Sequence, residues 1–104
     1  ITIFITVPNE EVALKLSNIL VESRVAAWVN IVSGIRSIYR WEGKICDEKE
    51  LLLMVKTTKN AFKKLTEIVK KNHPYKVPEI IEFKIEDGNK EYLDWLKEET
   101  GDSF

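Results

Sequence analysis

The sequence predicts an α+β fold, a four-stranded sheet with its helices gathered on one face, and three features of the chain point there. Strand-like and helix-like stretches follow one another in the order β-α-β-β-α-β-α, which falls into two βαβ-like halves. Each of the first two helical stretches carries one apolar stripe, enough to bury one side against a sheet and leave the other in water. At 104 residues the chain has room for one domain, residues 1–104, around one core. A ferredoxin-like βαββαβ sandwich with an additional C-terminal helix is the expected architecture.

The segment Ile1-Thr2-Ile3-Phe4-Ile5-Thr6-Val7 alternates residues that favour a pleated surface and reads as the first strand. Pro8 stops it, Asn9 supplies an N-cap, and Glu10 and Glu11 sit where the positive end of a helix dipole favours carboxylates. Val12, Leu16, Ile19 and Leu20 then recur at helical spacing until near Arg24. Residues 28–45 form a long extended segment in which Val29, Ile31, Ile35, Tyr39 and Trp41 share one parity, and Asn30, Arg36, Arg40 and Glu42 the other. Gly43 permits a turn with positive φ, and the run 51–55, apolar on both faces, reads as a central strand paired back in a long hairpin. Thr57 or Thr58 opens a second helix that turns Phe62, Leu65, Ile68 and Val69 inward and ends near Asn72. Ile81, Phe83 and Ile85 alternate with Glu82 and Lys84, a strand with one wet face. Asp87-Gly88-Asn89 turns the chain into a last helix, marked by Tyr92, Leu93 and Leu96 and ending around Thr100-Gly101.

The hairpin is too long for its domain. At about 3.3 Å per residue, residues 28–45 would reach about 60 Å, whereas a compact domain of this length has a radius of gyration near ~13 Å. Ser33-Gly34 is the expected bend or bulge. Beyond it, Ile38, Tyr39, Trp41 and Ile45 ride on an arm whose unpaired edges invite aggregation unless another chain covers them. An oligomer held by strand-to-strand contacts follows.

Composition narrows the function classes. Hydrophobic residues make up 44% and charged residues 32%, the balance of a globular chain, and the net charge of -1 gives no electrostatic reason to expect nucleic acid or an anionic membrane. No apolar run approaches the ~18–20 residues that span a bilayer. The single Cys46 cannot form an internal disulfide, which makes the cytoplasm the expected compartment. Nucleophile triads, phosphate-cradling glycine loops and zinc-ligand pairs are absent from the sequence, so an enzyme is not expected.

The stretches Ala26-Ala27-Trp28-Val29-Asn30-Ile31, Ser37-Ile38-Tyr39-Arg40-Trp41-Glu42-Gly43-Lys44-Ile45, Val55-Lys56-Thr57 and His73-Pro74-Tyr75-Lys76-Val77-Pro78-Glu79-Ile80 closely resemble the CutA divalent-cation-tolerance family. Tyr92-Leu93-Asp94-Trp95-Leu96 is similar to that family's C-terminal helix. The resemblance implies a homotrimer of ferredoxin-like subunits whose long hairpins pair between chains, an architecture shared with PII-like signalling proteins. It also implies an association with tolerance of copper and other divalent metals and, in animal relatives, with anchoring of acetylcholinesterase, without an established reaction. The family commonly has cysteine after the two alanines where this chain has Trp28, so a thiolate copper ligand does not carry over to that position.

Within that frame His73, the only histidine, and Glu79 are the candidate ligands for Cu2+ or another weakly bound divalent cation. The competing reading of His73 is a helix end whose imidazole reaches a free carbonyl. Pro74 and Pro78 make the segment around it a rigid joint. Tyr39, Trp41, Glu42, Lys56 and Tyr75 are candidates for an intersubunit cleft; for the aromatic residues the alternative is a buried interface. Glu79 is a possible partner for Lys56 across the sheet. Asp47, Glu48 and Glu50 read as turn solvation, and Cys46 as a solvent-accessible bystander. The expected function is that of a homotrimeric, copper-responsive divalent-cation tolerance protein. A PII-like small-molecule sensor, or a trimeric scaffold for a partner protein, is the alternative.

Overall fold

The computed structural model describes residues 1–101; the last three residues of the expected 1–104 domain lie outside it. The elements are β1 (Thr2–Val7), α1 (Glu10–Glu22), β2 (Trp28–Trp41), β3 (Lys44–Lys56), a single 3-10 turn (Lys59–Ala61), α2 (Phe62–Asn72), β4 (Ile80–Phe83) and α3 (Lys90–Glu99). The four strands form one antiparallel sheet in the order β2-β3-β1-β4, so the doubly apolar run 51–55 does lie in a central strand.

Local chemistry sets the boundaries. Asn9 caps α1 by accepting the Val12 N–H at 2.9 Å, and Asn89 caps α3 by accepting the Glu91 N–H at 3.0 Å. Arg24, just past α1, adopts a positive φ of 62° and donates from its guanidinium to the carbonyls of Glu98 and Glu99, so a cation closes the negative end of α3. Helices α1 and α2 cover one face of the sheet. Ile3, Ile5, Val7, Leu53 and Val55 point to that face and are buried with Ala13, Leu16, Leu20, Leu65 and Val69.

Two expectations about strand faces are corrected. In β4, Ile80 packs on the helix-side core and Ile81 and Phe83 point away from it, about half exposed; the apolar set is on the face opposite to the helices. Pairing ends at Phe83 because its partner Thr2 begins β1, leaving Ile85 without a ladder. In β2, Val32 pairs with Leu52 but Ile35 with Glu50, so Ser33 and Gly34 together oppose the single residue Leu51. Gly34, at φ 79°, supplies this bulge. One inserted residue reverses which parity faces the helices. Val29 and Ile31 therefore share the face of Val55 and Leu53, while Ile35, Tyr39 and Trp41 share the opposite face with Glu50 and Glu48.

Past the bulge the hairpin projects as an arm, and the molecule measures 44 × 27 × 22 Å. Arg36 and Asp47 pair across it through two hydrogen bonds at 2.8 and 2.6 Å. Glu42 (φ 48°) and Gly43 (φ 77°) make the tip, with the two positive φ angles a tight right-twisted hairpin demands.

Candidate functional site

The bulge at Gly34 and the joint after α2 build one cleft between them. The bulge delivers Ser37, Tyr39 and Trp41 to the same face as Glu48 and Glu50, along the arm from its root toward its tip. The chain leaving α2 then folds over the end of β1 and brings Tyr75, Lys76, Val77 and Glu79 to the other wall. The cleft between has a volume of about 620 Å³ and extends to Thr6 and Ile38.

His73 is what fixes that second wall. It follows α2 as its C-cap, and its ring Nε2 lies 2.8 Å from the Thr6 carbonyl while Nδ1 accepts the Tyr75 N–H at 3.1 Å. An acceptor at Nδ1 places the neutral ring's proton on Nε2, which donates to Thr6. The Tyr75 ring packs 4.8 Å from the imidazole, and its hydroxyl donates to Glu50 Oε2 at 2.9 Å. Only 6% of Glu50 is exposed. The phenol of Tyr75 is pushed far above its usual range, first by burial and then by its bond to Glu50. Partial burial, with the Glu48 carboxylate beside it, pushes the Tyr39 phenol up to about 12. Burial, reinforced by the charge of Glu50, raises the Glu79 carboxyl.

Of the residues singled out in the sequence, Tyr39, Trp41, Tyr75 and Glu79 line this cleft, and His73 sits behind it. Glu42 does not line it, because it occupies the arm's turn. Neither does Lys56, at the far end of β3, where it reaches Asn30 and burial lowers its ammonium pKa. Glu79 accordingly faces Glu50, not Lys56. Glu50, read from the sequence as turn solvation, is buried, and it and Glu48 are the site residues that sequence reasoning missed. The available signal was the Gly34 bulge: its reversal of parity carries Tyr39 onto the carboxylates' face.

A divalent metal fits this single chain poorly. Both imidazole nitrogens are already engaged, and among the described residues no group of three or more His, Cys, Asp or Glu is placed to hold an ion. Hard cations ask for six or more oxygens, and zinc for about four N, S or O ligands.

Fold and site define a small α+β domain with an acidic, aromatic-walled cleft at the root of a β-arm. The chain belongs to the CutA1 divalent ion tolerance family, whose model matches residues 1–99. It is 60% identical to the divalent-cation tolerance protein CutA of Thermus thermophilus, over 95% of this chain and 96% of that one. The human protein CutA is 44% identical over 93% of this chain, which spans only 54% of the human protein. Among solved structures, the T. thermophilus CutA1 superposes with a TM-score of 0.94 at 59% identity, covering 96% of this chain and 97% of that one. The CutA1 of Oryza sativa gives 0.95 at 46% identity, covering 98% and 94%. The Archaeoglobus fulgidus CutA, described as periplasmic, gives 0.93 at 40%, covering 96% and 97%.

Proposed function

We propose that the protein is a cytoplasmic homotrimer that responds to divalent cations, copper among them, without a catalytic reaction of its own. The observation that carries this is the cleft, where Glu48, Glu50 and Glu79 face a single lysine, Lys76. Relatives named for divalent-cation tolerance support the cation reading. One chain leaves the coordination incomplete, so a cation rests weakly on Glu79 and its neighbours, with remaining ligands from water or adjacent copies. His73 joins it only by giving up Thr6 or Tyr75.

Support for assembly comes from what the fold leaves uncovered. Ile38 and Ile45 on the arm are 68% and 63% exposed, β2 and β4 are the sheet's two edges among the described residues, and the sheet face away from the helices carries Phe4, Met54, Ile81 and Phe83. The unpaired Cys46 supports a reducing compartment. The cleft's volume favours the alternative in one respect, since it would admit a small molecule as well as an ion.

Calorimetric titration of the metal-stripped protein with copper tests the proposal. Saturable heats that shrink in Glu79→Gln are expected; heats that are absent, or unchanged in Glu79→Gln, would remove it. Sedimentation gives the companion result, with a mass three times the 12.1 kDa of one chain expected.

A further inference from the structure

The two bonds of His73 fix where its ring carries a proton. A backbone N–H can only donate, so the Tyr75 amide 3.1 Å away requires a lone pair at Nδ1; a carbonyl can only accept, so Thr6 requires a hydrogen on Nε2. A second proton has no site but Nδ1. There it turns an acceptor into a donor that faces the Tyr75 N–H.

Imidazole is the side chain that ordinarily takes up a proton between about pH 5 and 8, and the negative end of α2, which His73 caps, accommodates the added charge. The bond to Thr6 survives, because Nε2 donates in both forms. The bond to Tyr75 does not. Pro74, with its fixed φ, links the two residues stiffly, so a displaced Tyr75 amide carries its side chain along. That side chain is the wall's other attachment, with its ring against the imidazole and its hydroxyl on Glu50. Further along, Ile80 pairs with Ile5 in the sheet and holds Glu79 beside it, which confines the released stretch to residues 74–78.

Several elements set charged or titratable groups around this joint. β1 offers the Thr6 carbonyl, which does not titrate, and β3 offers Glu50, held through Tyr75. The joint itself offers Tyr75 and Lys76, the approach to β4 offers Glu79, and the last turn of α2 offers Lys70 and Lys71, both exposed. Glu79, whose carboxyl is raised by burial, also titrates in acid and is the group to separate from the ring.

We propose that His73 is a proton-operated latch on the cleft: a proton taken from solvent at Nδ1 breaks the bond from the Tyr75 amide, and residues 74–78 leave the wall while the ring stays tied to Thr6. The latch acts whatever ligand the cleft takes, and its test needs none.

In the metal-free full chain the single histidine gives unambiguous ring-nitrogen NMR signals. Above about pH 8 they are expected to show a bare Nδ1 and a protonated Nε2. As the ring titrates, protection of the Tyr75 amide against hydrogen exchange, taken relative to an unstructured peptide at the same pH, should fall about fivefold or more. The Tyr75 ring signals should move with the same midpoint. His73→Asn supplies a side-chain carbonyl that accepts the N–H two residues on and does not titrate, so its Tyr75 amide should stay protected throughout. Glu79→Gln should keep the wild-type transition. A proton on Nδ1 at the start, a Tyr75 amide still protected once the ring is charged, the same loss in His73→Asn, or loss of the transition in Glu79→Gln would overturn the proposal. If His73→Asn does not fold, the wild-type and Glu79→Gln titrations decide.

Discussion

The Nε2 of His73 lies 2.8 Å from the carbonyl oxygen of Thr6, so the one histidine ties the end of α2 to the central strand β1. Its other nitrogen holds the Tyr75 N–H, and the cleft wall depends on both bonds. His73→Ala leaves a donor and an acceptor without partners at a position only 7% exposed. The expected loss is about 1–3 kcal/mol, measured by urea unfolding. Copper titration of the same variant should retain most of the wild-type heat, because the imidazole is engaged within the chain.

Tyr75→Phe isolates the next link. The ring still packs on His73, but the Glu50 carboxylate loses its donor in a buried setting. Hydrogen bonds to charged groups are worth about 1.5–3 kcal/mol, and a loss of that size in denaturant unfolding is expected. Glu50→Gln should cost less than Tyr75→Phe, since a neutral amide tolerates burial better than an unpaired carboxylate.

The arm's backbone offers a prediction that involves no contact at all. A methyl group added at Gly34 would meet nothing within 4 Å, yet φ there is 79°. Gly34→Ala should therefore destabilise by about 1 kcal/mol through backbone strain alone. Glu42 holds a left-handed φ of 48° at the tip without being a residue that favours it. Glu42→Asn should stabilise by about 0.5–1 kcal/mol and leave cleft ligands unaffected. Thermal unfolding of the two variants should move in opposite directions.

These residues also mark how far the sequence was legible. Element order, the Asn9 cap, the arm and the bulge at Ser33-Gly34 could be read because each depends on local propensity or on length. The placement of Tyr39 on the face of Glu50 is not legible in parity alone, because the extra residue at Ser33-Gly34 inverts it, and the expectation of a bend or bulge there leaves open whether parity is kept. The alternation of Ile81 and Phe83 with Glu82 marks a strand with one apolar face, but does not say what lies against that face. Lys56 was drawn toward the cleft as a charge ending an apolar strand, and only the strand register separates it from Tyr39. The motif around His73 identified the joint correctly and left its chemistry open, because an imidazole that binds metal and one that bridges a carbonyl look alike in one dimension.

Cation binding in the cleft should depend on pH through Glu79. Its folded-state carboxyl is raised by burial and by Glu50, so it keeps its proton to a higher pH than an ordinary glutamate. The sign follows: the folded state holds more protons between the ordinary and the raised value, and stability from this group falls as pH rises through that window. Cation affinity moves the other way, strengthening as the carboxylate ionises. Titrations across the acid range should show affinity still rising above the ordinary glutamate range, with that rise absent in Glu79→Gln.

Assembly supplies the last prediction. The Phe4 and Phe83 rings meet 4.8 Å apart on the sheet face away from the helices, with Met54 and Ile81 opposite Phe4 in register. Phe83 is 47% exposed and contributes nothing to the helix-side core, so Phe83→Glu should leave the subunit folded. If sister copies cover this face, the variant buries a carboxylate in the interface and the sedimenting mass should fall toward 12.1 kDa. Leu14→Glu is the matched control, a change at a residue of α1 with 49% exposure, and should leave the mass of the assembly unaltered. An assembly that survives Phe83→Glu but not changes at Ile38 and Ile45 would place the contacts on the arm alone, with the apolar face left for a different partner.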